Sequence, residues 1–138
     1  MWTPELSYAL RMAIRTELNL RLPNSPGSLA EVCALLSLER VNVVAMALES
    51  SGHLRLVVDN HVHAAALLRE HHHQVIERDV IVTSVPNAPG TLAPLLALVS
   101  DARVNVEYAY GSGGDTGATA SVVLGVEDAQ QAAAAAGV

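Results

Sequence analysis

Polar and apolar residues alternate over residues 16–22, which predicts a half-buried strand whose leucines face a core. A turn containing proline and glycine follows it. Ser28 and Glu31 then have the spacing of a capping box, and Ser25 is an alternative cap. A helix ending near Arg40 is therefore predicted. Its apolar stripe consists of Leu29, Val32, Cys33, Leu35 and Leu36.

A β-hairpin is predicted over residues 42–59, because two apolar, valine-rich segments flank Ser50-Ser51-Gly52. Asp59 or Asn60 can cap a second helix that continues to about residue 70. Two more strands are predicted at residues 72–76 and 79–85. The predicted order is strand, helix, strand, strand, helix, strand.

The chain contains an internal repeat. Pro23-Asn24-Ser25-Pro26-Gly27 recurs as Pro86-Asn87-Ala88-Pro89-Gly90, and Arg40-Val41-Asn42-Val43 recurs as Arg103-Val104-Asn105-Val106. The offset is 63 residues, both from Asn24 to Asn87 and from Asn42 to Asn105. A constant offset between two motifs indicates duplicated domains. We therefore predict an extension at residues 1–14, a first domain at 15–78 and a second domain at 79–138.

The second copy has the same predicted order of elements but a longer, glycine-rich hairpin loop. It ends where its last strand should begin, so that strand is expected to be missing. The predicted second-copy elements span residues 80–85, 91–102, 105–110, 118–126 and 128–136.

Composition narrows the classes of function. The formal net charge is −6 and only 3% of residues are aromatic, which argues against nucleic acid as a partner. We see no signal peptide and no apolar run long enough to cross a membrane, so a cytoplasmic protein without membrane contact is expected. The one cysteine, Cys33, lies in the apolar stripe and is expected to be a buried thiol.

Both motifs, set in a βαββαβ order, resemble the ACT domain family of small-molecule regulatory modules, and above all the stand-alone tandem ACT proteins. The resemblance covers about residues 15–138. It implies an α+β fold of two ferredoxin-like repeats packed as a pseudo-dimer, with a free amino acid bound at the interface of the two domains. By position, the binding residues of the family fall on Asn24, Pro26, Gly27, Asn42, Asn87, Pro89, Gly90 and Asn105.

These residue types suit an amino acid. A helix start offers unpaired N–H groups to a carboxylate, here those around Ser28 and Leu29 or Thr91 and Leu92. Glycine lets the backbone approach a ligand, and an Asn amide both donates and accepts. The alternative interpretation is structural: each loop is only a strand-to-helix turn, and each Asn merely follows a helix end.

The two sites are expected to be unequal. Strict alternation after Asn105 puts Glu107 on the same face as Asn105, and Val106, Tyr108 and Tyr110 on the other. Glu107 could pair with a ligand ammonium group, and a Tyr hydroxyl could reach polar ligand atoms. The alternative is an ordinary exposed Glu beside two packing tyrosines. The first copy has Val and Ala at these positions, so Asn105→Ala is predicted to weaken binding more than Asn42→Ala.

His61, His63 and the run of histidines at 71–73 do not have the spacing of a metal site. Adjacent histidines such as 71–73 cannot all converge on one ion, and we interpret them as solvated residues at a helix end. No cofactor is expected.

The sequence therefore favours a non-enzymatic, amino-acid-binding regulatory protein that forms a homodimer. One alternative is a regulatory subunit of a biosynthetic enzyme such as acetolactate synthase; another is a purely structural dimerisation module. No catalytic arrangement of Ser/His/Asp, Cys/His or paired carboxylates is present in the sequence.

Overall fold

The secondary structure is of the α+β class, as predicted. The computed structural model describes residues 12–112, 115 and 117–135. These residues form β1 (Met12–Arg21), α1 (Ser28–Leu38), β2 (Val43–Leu48), β3 (His53–Val58), α2 (His61–Glu70), β4 (Ile76–Pro86), α3 (Leu92–Asp101), β5 (Val106–Ser112), β6 (Thr119–Val126) and α4 (Ala129–Ala135). Residues 1–11 of the predicted extension and residue 136 of the predicted last helix lie outside the described residues.

The chain divides into two compact units. The first-repeat unit is Thr16–Arg78, and the second-repeat unit is Met1–Arg15 together with Asp79–Val138. In the first-repeat unit, β3 lies between β2 and β1 and pairs antiparallel with both. In the second-repeat unit, β6 lies between β5 and β4 and also pairs antiparallel with both.

The first strand begins earlier than predicted. It starts at Met12 rather than residue 16, and its first four residues belong to the second-repeat unit. There Met12 is buried in the core with Ile81, Leu95 and Leu124. Apolar burial of Met12 therefore extends the strand beyond the segment in which polar and apolar residues alternate. The start of the chain thus supplies part of the core of the second repeat.

The prediction of two strands at residues 72–76 and 79–85 is wrong, because one strand, Ile76–Pro86, covers the second segment and includes only the last residue of the first. His72 instead ends α2 in a left-handed conformation, with φ of 70°. Its N–H bonds to Arg69 O, and the N–H of His73 bonds to Leu68 O. These bonds form a Schellman motif, which uses the backbone of both histidines to end the helix.

Each unit has its own apolar core. In α1, Val32 and Leu36 are buried against the leucines of β1 and β3, and Leu29 and Leu35 are half-buried beside them. Cys33 is only half-buried, so the expectation of a buried thiol is wrong.

The predicted capping box at Ser28 and Glu31 is not formed. Gly27 is the capping residue of α1, and no side chain caps the helix. The hydroxyls of Ser28 and Ser25 instead bond to each other, with 2.9 Å between the oxygens. The cap predicted for α2 is confirmed, because Asn60 Oδ1 accepts from the His63 N–H at 3.1 Å.

Two glycines of the first-repeat unit allow a matched test. Gly27 and Gly52 have nearly equal φ, 88° and 91°, but a Cβ at Gly27 would meet no heavy atom within 4 Å. A Cβ at Gly52 would lie 2.5 Å from the Leu22 carbonyl oxygen. Gly27→Ala should cost about 1–2 kcal/mol of unfolding free energy for the left-handed conformation alone. Gly52→Ala should cost a further ~1–3 kcal/mol, because the backbone must move.

Urea unfolding of both variants measures this difference. Equal losses of stability in Gly27→Ala and Gly52→Ala would show that the contact with Leu22 is not a constraint.

Candidate functional site

The two glycine turns have the same backbone geometry. Gly27 and Gly90 both have positive φ, 88° and 82°. In each turn the residue two before glycine bonds back to proline: Ser25 N to Pro23 O and Ala88 N to Pro86 O, both at 2.9 Å. Neither glycine is in close contact, so each is needed for its left-handed conformation rather than for space.

Each turn leads into a helix whose first N–H groups are available. Within the described part of the chain, no hydrogen bond engages the backbone N–H of Leu29 or Ala30 in α1, or of Leu92 or Ala93 in α3. These donors lie at the positive end of the helix dipole. Both turns therefore present a pair of donors suited to a carboxylate.

A cavity lies over each turn, within its own unit. The first-loop cavity has a volume of about 620 Å³ and contains Asn24, Gly27, Ser28 and Leu29. The second-loop cavity, of about 610 Å³, contains Asn87, Pro89, Gly90, Thr91 and Leu92. Each cavity also reaches the end of the neighbouring hairpin. All the loop residues predicted from the sequence, with the exception of Pro26, line these two cavities.

The loop cavities differ in charge. The first contains Glu49, at the end of β2. The corresponding wall of the second contains Ser112 and Ser121, and no carboxylate is among the described residues that line it. Glu49 was not among the residues predicted from the sequence, although its place at the hairpin beside the repeated turn was a signal that could have identified it.

Arg55 sets the ionisation of Glu49. The Arg55 guanidinium donates a hydrogen bond to the Glu49 carboxylate and forms a salt bridge with it. This hydrogen bond, and secondarily the charge of Arg55, hold the pKa of Glu49 below its ordinary value of 4.5. Glu49 is half-exposed, with 51% side-chain accessibility, so it can also accept from a ligand.

The second turn is tied to its hairpin by Asn87. The side-chain amide of Asn87 donates to Gly117 O, and its backbone N–H donates to Ala118 O, both at 3.1 Å. In the first turn, the N–H of Leu22 makes the corresponding link to Gly52 O at 2.7 Å. Within the described residues, the Asn24 side chain makes no bond that matches the one from Asn87.

The Arg-Val-Asn-Val motif ends a helix. Arg40 and Arg103 have left-handed φ values of 57° and 58°. The N–H of Val41 bonds to Leu36 O at 2.9 Å, and Val104 N bonds to Val99 O at 3.3 Å. Both valines are buried. The motif is therefore a Schellman stop in which arginine occupies the position that favours glycine and valine supplies the apolar contact.

Asn42 and Asn105 lie after this stop, at the far end of the helix from the glycine turn. They line separate cavities of about 370 and 580 Å³. Since α1 has 11 residues, its two ends are about 16 Å apart. Within either unit, the predicted Asn and the predicted loop do not share a cavity. That a ligand contacts both stays a prediction.

The backbone, rather than the side chain, of each Asn is engaged. Asn42 N donates to Asp59 Oδ1 at 3.0 Å, and Asp59 N donates to Asn42 O at 3.1 Å. Asn105 and Glu127 repeat this pair at 3.2 and 3.3 Å. Within the described residues, no hydrogen bond engages either Asn side-chain amide, and both residues are exposed.

The predicted alternation after Asn105 is wrong because β5 contains a bulge. The register shifts between Val106 and Tyr108. Val106 packs against the apolar core of the second-repeat unit. Tyr108 lies opposite Gly125. The residues on either side of Gly125 in β6 face that core, so Gly125 and Tyr108 face away from it. The bulge therefore puts Val106 and Tyr108 on opposite faces. Tyr108 stacks on Tyr110, with ring centroids 6.4 Å apart.

The first copy has a bulge at the same place, between Val43 and Ala45. Ala45 lies opposite Val57, where the second copy has Tyr108 opposite Gly125. In the first copy the smaller residue of the pair is on β2 and the larger is on β3, whereas in the second copy the larger is on β5 and the smaller is on β6. Tyr108 is therefore explained by packing over a glycine, and Glu107 is an exposed residue of the edge strand β5.

The described histidines do not gather into a metal site. No group of three or more His, Cys, Asp or Glu side chains suited to a metal ion occurs in the described residues. Among the same residues, no helix is both long and apolar enough to span a membrane.

Structural comparison identifies the fold. BT0572 from Bacteroides thetaiotaomicron is 29% identical, with a TM-score of 0.81 over 91% of this chain and 88% of that one. The regulatory subunit of aspartate kinase from Thermus flavus is 20% identical, with a TM-score of 0.61 over 91% and 94%. The fold is that of a tandem ACT-domain module. The resemblance inferred from the two motifs is confirmed.

A third match is to part of a larger protein. E. coli aspartokinase III in complex with lysine and aspartate is 20% identical, with a TM-score of 0.54 over 88% of the tandem ACT chain and 31% of the kinase. No protein-family model matches the chain, and no curated protein sequence matches it significantly.

The backbone pairing at the Arg-Val-Asn-Val motif gives a stability prediction. Asn42→Ala should change the unfolding free energy by less than about 0.5 kcal/mol, because it keeps the bonded backbone. Asp59→Ala removes the carboxylate that accepts from Asn42 N and should cost about 0.5–1.5 kcal/mol. Thermal unfolding of the two variants tests this order. A larger loss for Asn42→Ala would mean that its side chain supports the fold.

Proposed function

We propose that this tandem ACT chain is a non-enzymatic regulatory protein that binds a free amino acid in its glycine-turn cavities. The observation that carries the proposal is the repeated pair of available helix N–H groups over a cavity of about 600 Å³. The fold supports the regulatory class, because the solved structures that it resembles include regulatory subunits of aspartate kinase.

The ligand carboxylate would accept from the first-turn N–H groups, Leu29 and Ala30 in one cavity and Leu92 and Ala93 in the other. In the first-loop cavity, the ammonium group would donate to Glu49. The carboxylate of Glu49 has lone pairs for both Arg55 and a ligand. In the second-loop cavity, only hydroxyl and carbonyl oxygens are available, so an ammonium group is held there without a counter-charge.

The first-loop cavity is therefore proposed as the tighter site. This assignment differs from the asymmetry predicted on sequence grounds, which rested on Glu107 and the tyrosines. That Asn42 and Asn105 contact a ligand stays a separate proposal, because within its own unit each lines a different cavity from the glycine turn.

The regulated partner is proposed to be an enzyme of amino-acid biosynthesis. The solved structures favour a kinase-type partner over acetolactate synthase, because regulatory subunits and domains of aspartate kinase are among the matches. Homodimerisation and a purely structural role stay as proposals. A ligand that stabilises the chain would eliminate the purely structural role.

A thermal-shift screen against the twenty amino acids tests the proposal. A ligand that binds only the folded chain at 100 times its Kd should stabilise it by about 2.7 kcal/mol, and thus raise the melting temperature. Gly27→Asn should reduce the shift, since asparagine tolerates the left-handed conformation and adds a side chain to the first-loop cavity. Gly90→Asn is the matched variant for the second. No shift with any amino acid would contradict the proposal.

Glu49 gives a pH-dependent prediction. Since its pKa is lowered, its carboxylate stays ionised as the pH falls through its ordinary value of 4.5, and its help to ligand binding is lost only below that value. The ligand-induced rise in the melting temperature of the wild type should therefore stay constant from pH 7 to about 5. Arg55→Gln should raise the pH at which ligand binding is lost on acidification, because Arg55 lowers the pKa of Glu49. Glu49→Gln should weaken the first site at every pH, and an unchanged shift would exclude Glu49 from it.

A further inference from the structure

A different cavity of the first-repeat unit has the chemistry of an anion site. It has a volume of about 530 Å³ and lies where β1 ends and β4 begins. Its polar lining consists of Asn19, Arg21, His53, His72, His73 and Gln74. We call it the histidine cavity. It shares only Pro23 with the first-loop cavity and contains none of the proposed amino-acid contacts.

The ionisable side chains that line the histidine cavity are all basic. One guanidinium, three imidazoles and two amides supply hydrogen-bond donors, and none of the lining residues is a carboxylate. The chain as a whole carries a formal charge of −6. A cavity rich in cationic and donor groups on an acidic protein is therefore a local exception, and it favours an oxyanion over a cation.

A chain of hydrogen bonds orients His53. Glu17 is fully buried, and its carboxylate accepts from Asn19 Nδ2 at 3.0 Å. Since the amide nitrogen of Asn19 faces Glu17, its Oδ1 is the atom that lies 2.8 Å from His53 Nε2, and an amide oxygen can only accept. His53 thus carries its hydrogen on Nε2, which leaves Nδ1 as the ring nitrogen available to a ligand. When the ring is protonated, Nδ1 becomes a donor.

The other walls are also held in place. The Schellman motif after α2 orients the backbone of His72 and His73, and Arg69 Nη2 donates to Val75 O at 2.9 Å, just before β4. Arg21 Nη1 donates to Ser51 O at 2.9 Å. A guanidinium has five N–H donors, so Arg21 keeps others for a ligand. The backbone of these walls and the Arg21 guanidinium are therefore positioned before a ligand binds, which lowers the entropy cost of binding.

We propose that the histidine cavity is a second ligand site, for a phosphate group. Arg21 and His53 would donate to the phosphate oxygens, with further donors from the histidines that precede β4. The volume exceeds that of a free phosphate ion and leaves room for the organic part of a small phosphate ester. The site is separate from the glycine turns, so the chain could respond to an amino acid and a phosphorylated metabolite independently.

Titration of the full chain with inorganic phosphate, followed through the histidine ring resonances by NMR, tests the proposal. The rings of His53, His72 and His73 should shift in a saturable way, and those of His61 and His63 should not. A parallel titration with glycerol phosphate separates free phosphate from an ester, since the ester should bind more tightly if the extra volume is used. No saturable shift with either probe would overturn the proposal.

Variants separate this site from the rest of the chain. Arg21→Gln should weaken phosphate binding about ten- to 100-fold, as expected for loss of a charged hydrogen-bond partner. Arg21→Lys should restore part of the affinity, and His63→Gln should leave it unchanged. The amino-acid-induced thermal shift should be the same in Arg21→Gln as in the wild type, so the two proposals can fail separately. Phosphate affinity that is equal in Arg21→Gln and His63→Gln would place the ion elsewhere.

Discussion

The left-handed backbone at both ends of one helix is the constraint on which the repeated structure depends. Gly27 starts α1 from positive φ, and Arg40 ends it at positive φ. Gly90 and Arg103 also have positive φ at the two ends of α3, where Thr91 lies between Gly90 and the helix. The glycine turn leaves helix N–H groups without partners beside a cavity, whereas the arginine stop buries a valine and starts the next strand. The same backbone thus produces both copies of the loop cavity and sets each Asn at the other end of its helix.

Local patterns in the sequence predicted most of the elements, because each repeat follows simple periodicity. The hairpin of β2 and β3, the cap at Asn60 and the helix that begins at Ser28 all follow from short-range signals. Three features could not be predicted this way. The bulges after Val43 and Val106 change which side chains of β2 and β5 face the core. The Schellman motif at His72 occupies a segment that was predicted to be a strand. Met12 belongs to β1 and is buried in the core of the second repeat.

The candidate site was predicted in part. The motif led to the loop residues that line both cavities, because a proline-glycine turn before a helix has few possible geometries. It did not reveal Glu49 or Arg55, since their contact depends on the register between β2 and β3. The histidine cavity was not predicted, because the histidines near α2 were considered only as metal ligands. His53 and His73 are distant in sequence and line one cavity because β1 ends beside the start of β4.

The central claim is that the available helix N–H groups over the glycine turns receive a ligand carboxylate. It is tested most directly by backbone amide NMR of the wild-type chain titrated with an equimolar mixture of the twenty amino acids. We predict saturable shifts of the amides of Leu29 and Ala30, with weaker shifts of Leu92 and Ala93. Shifts that spare all four amides while others move would contradict the account.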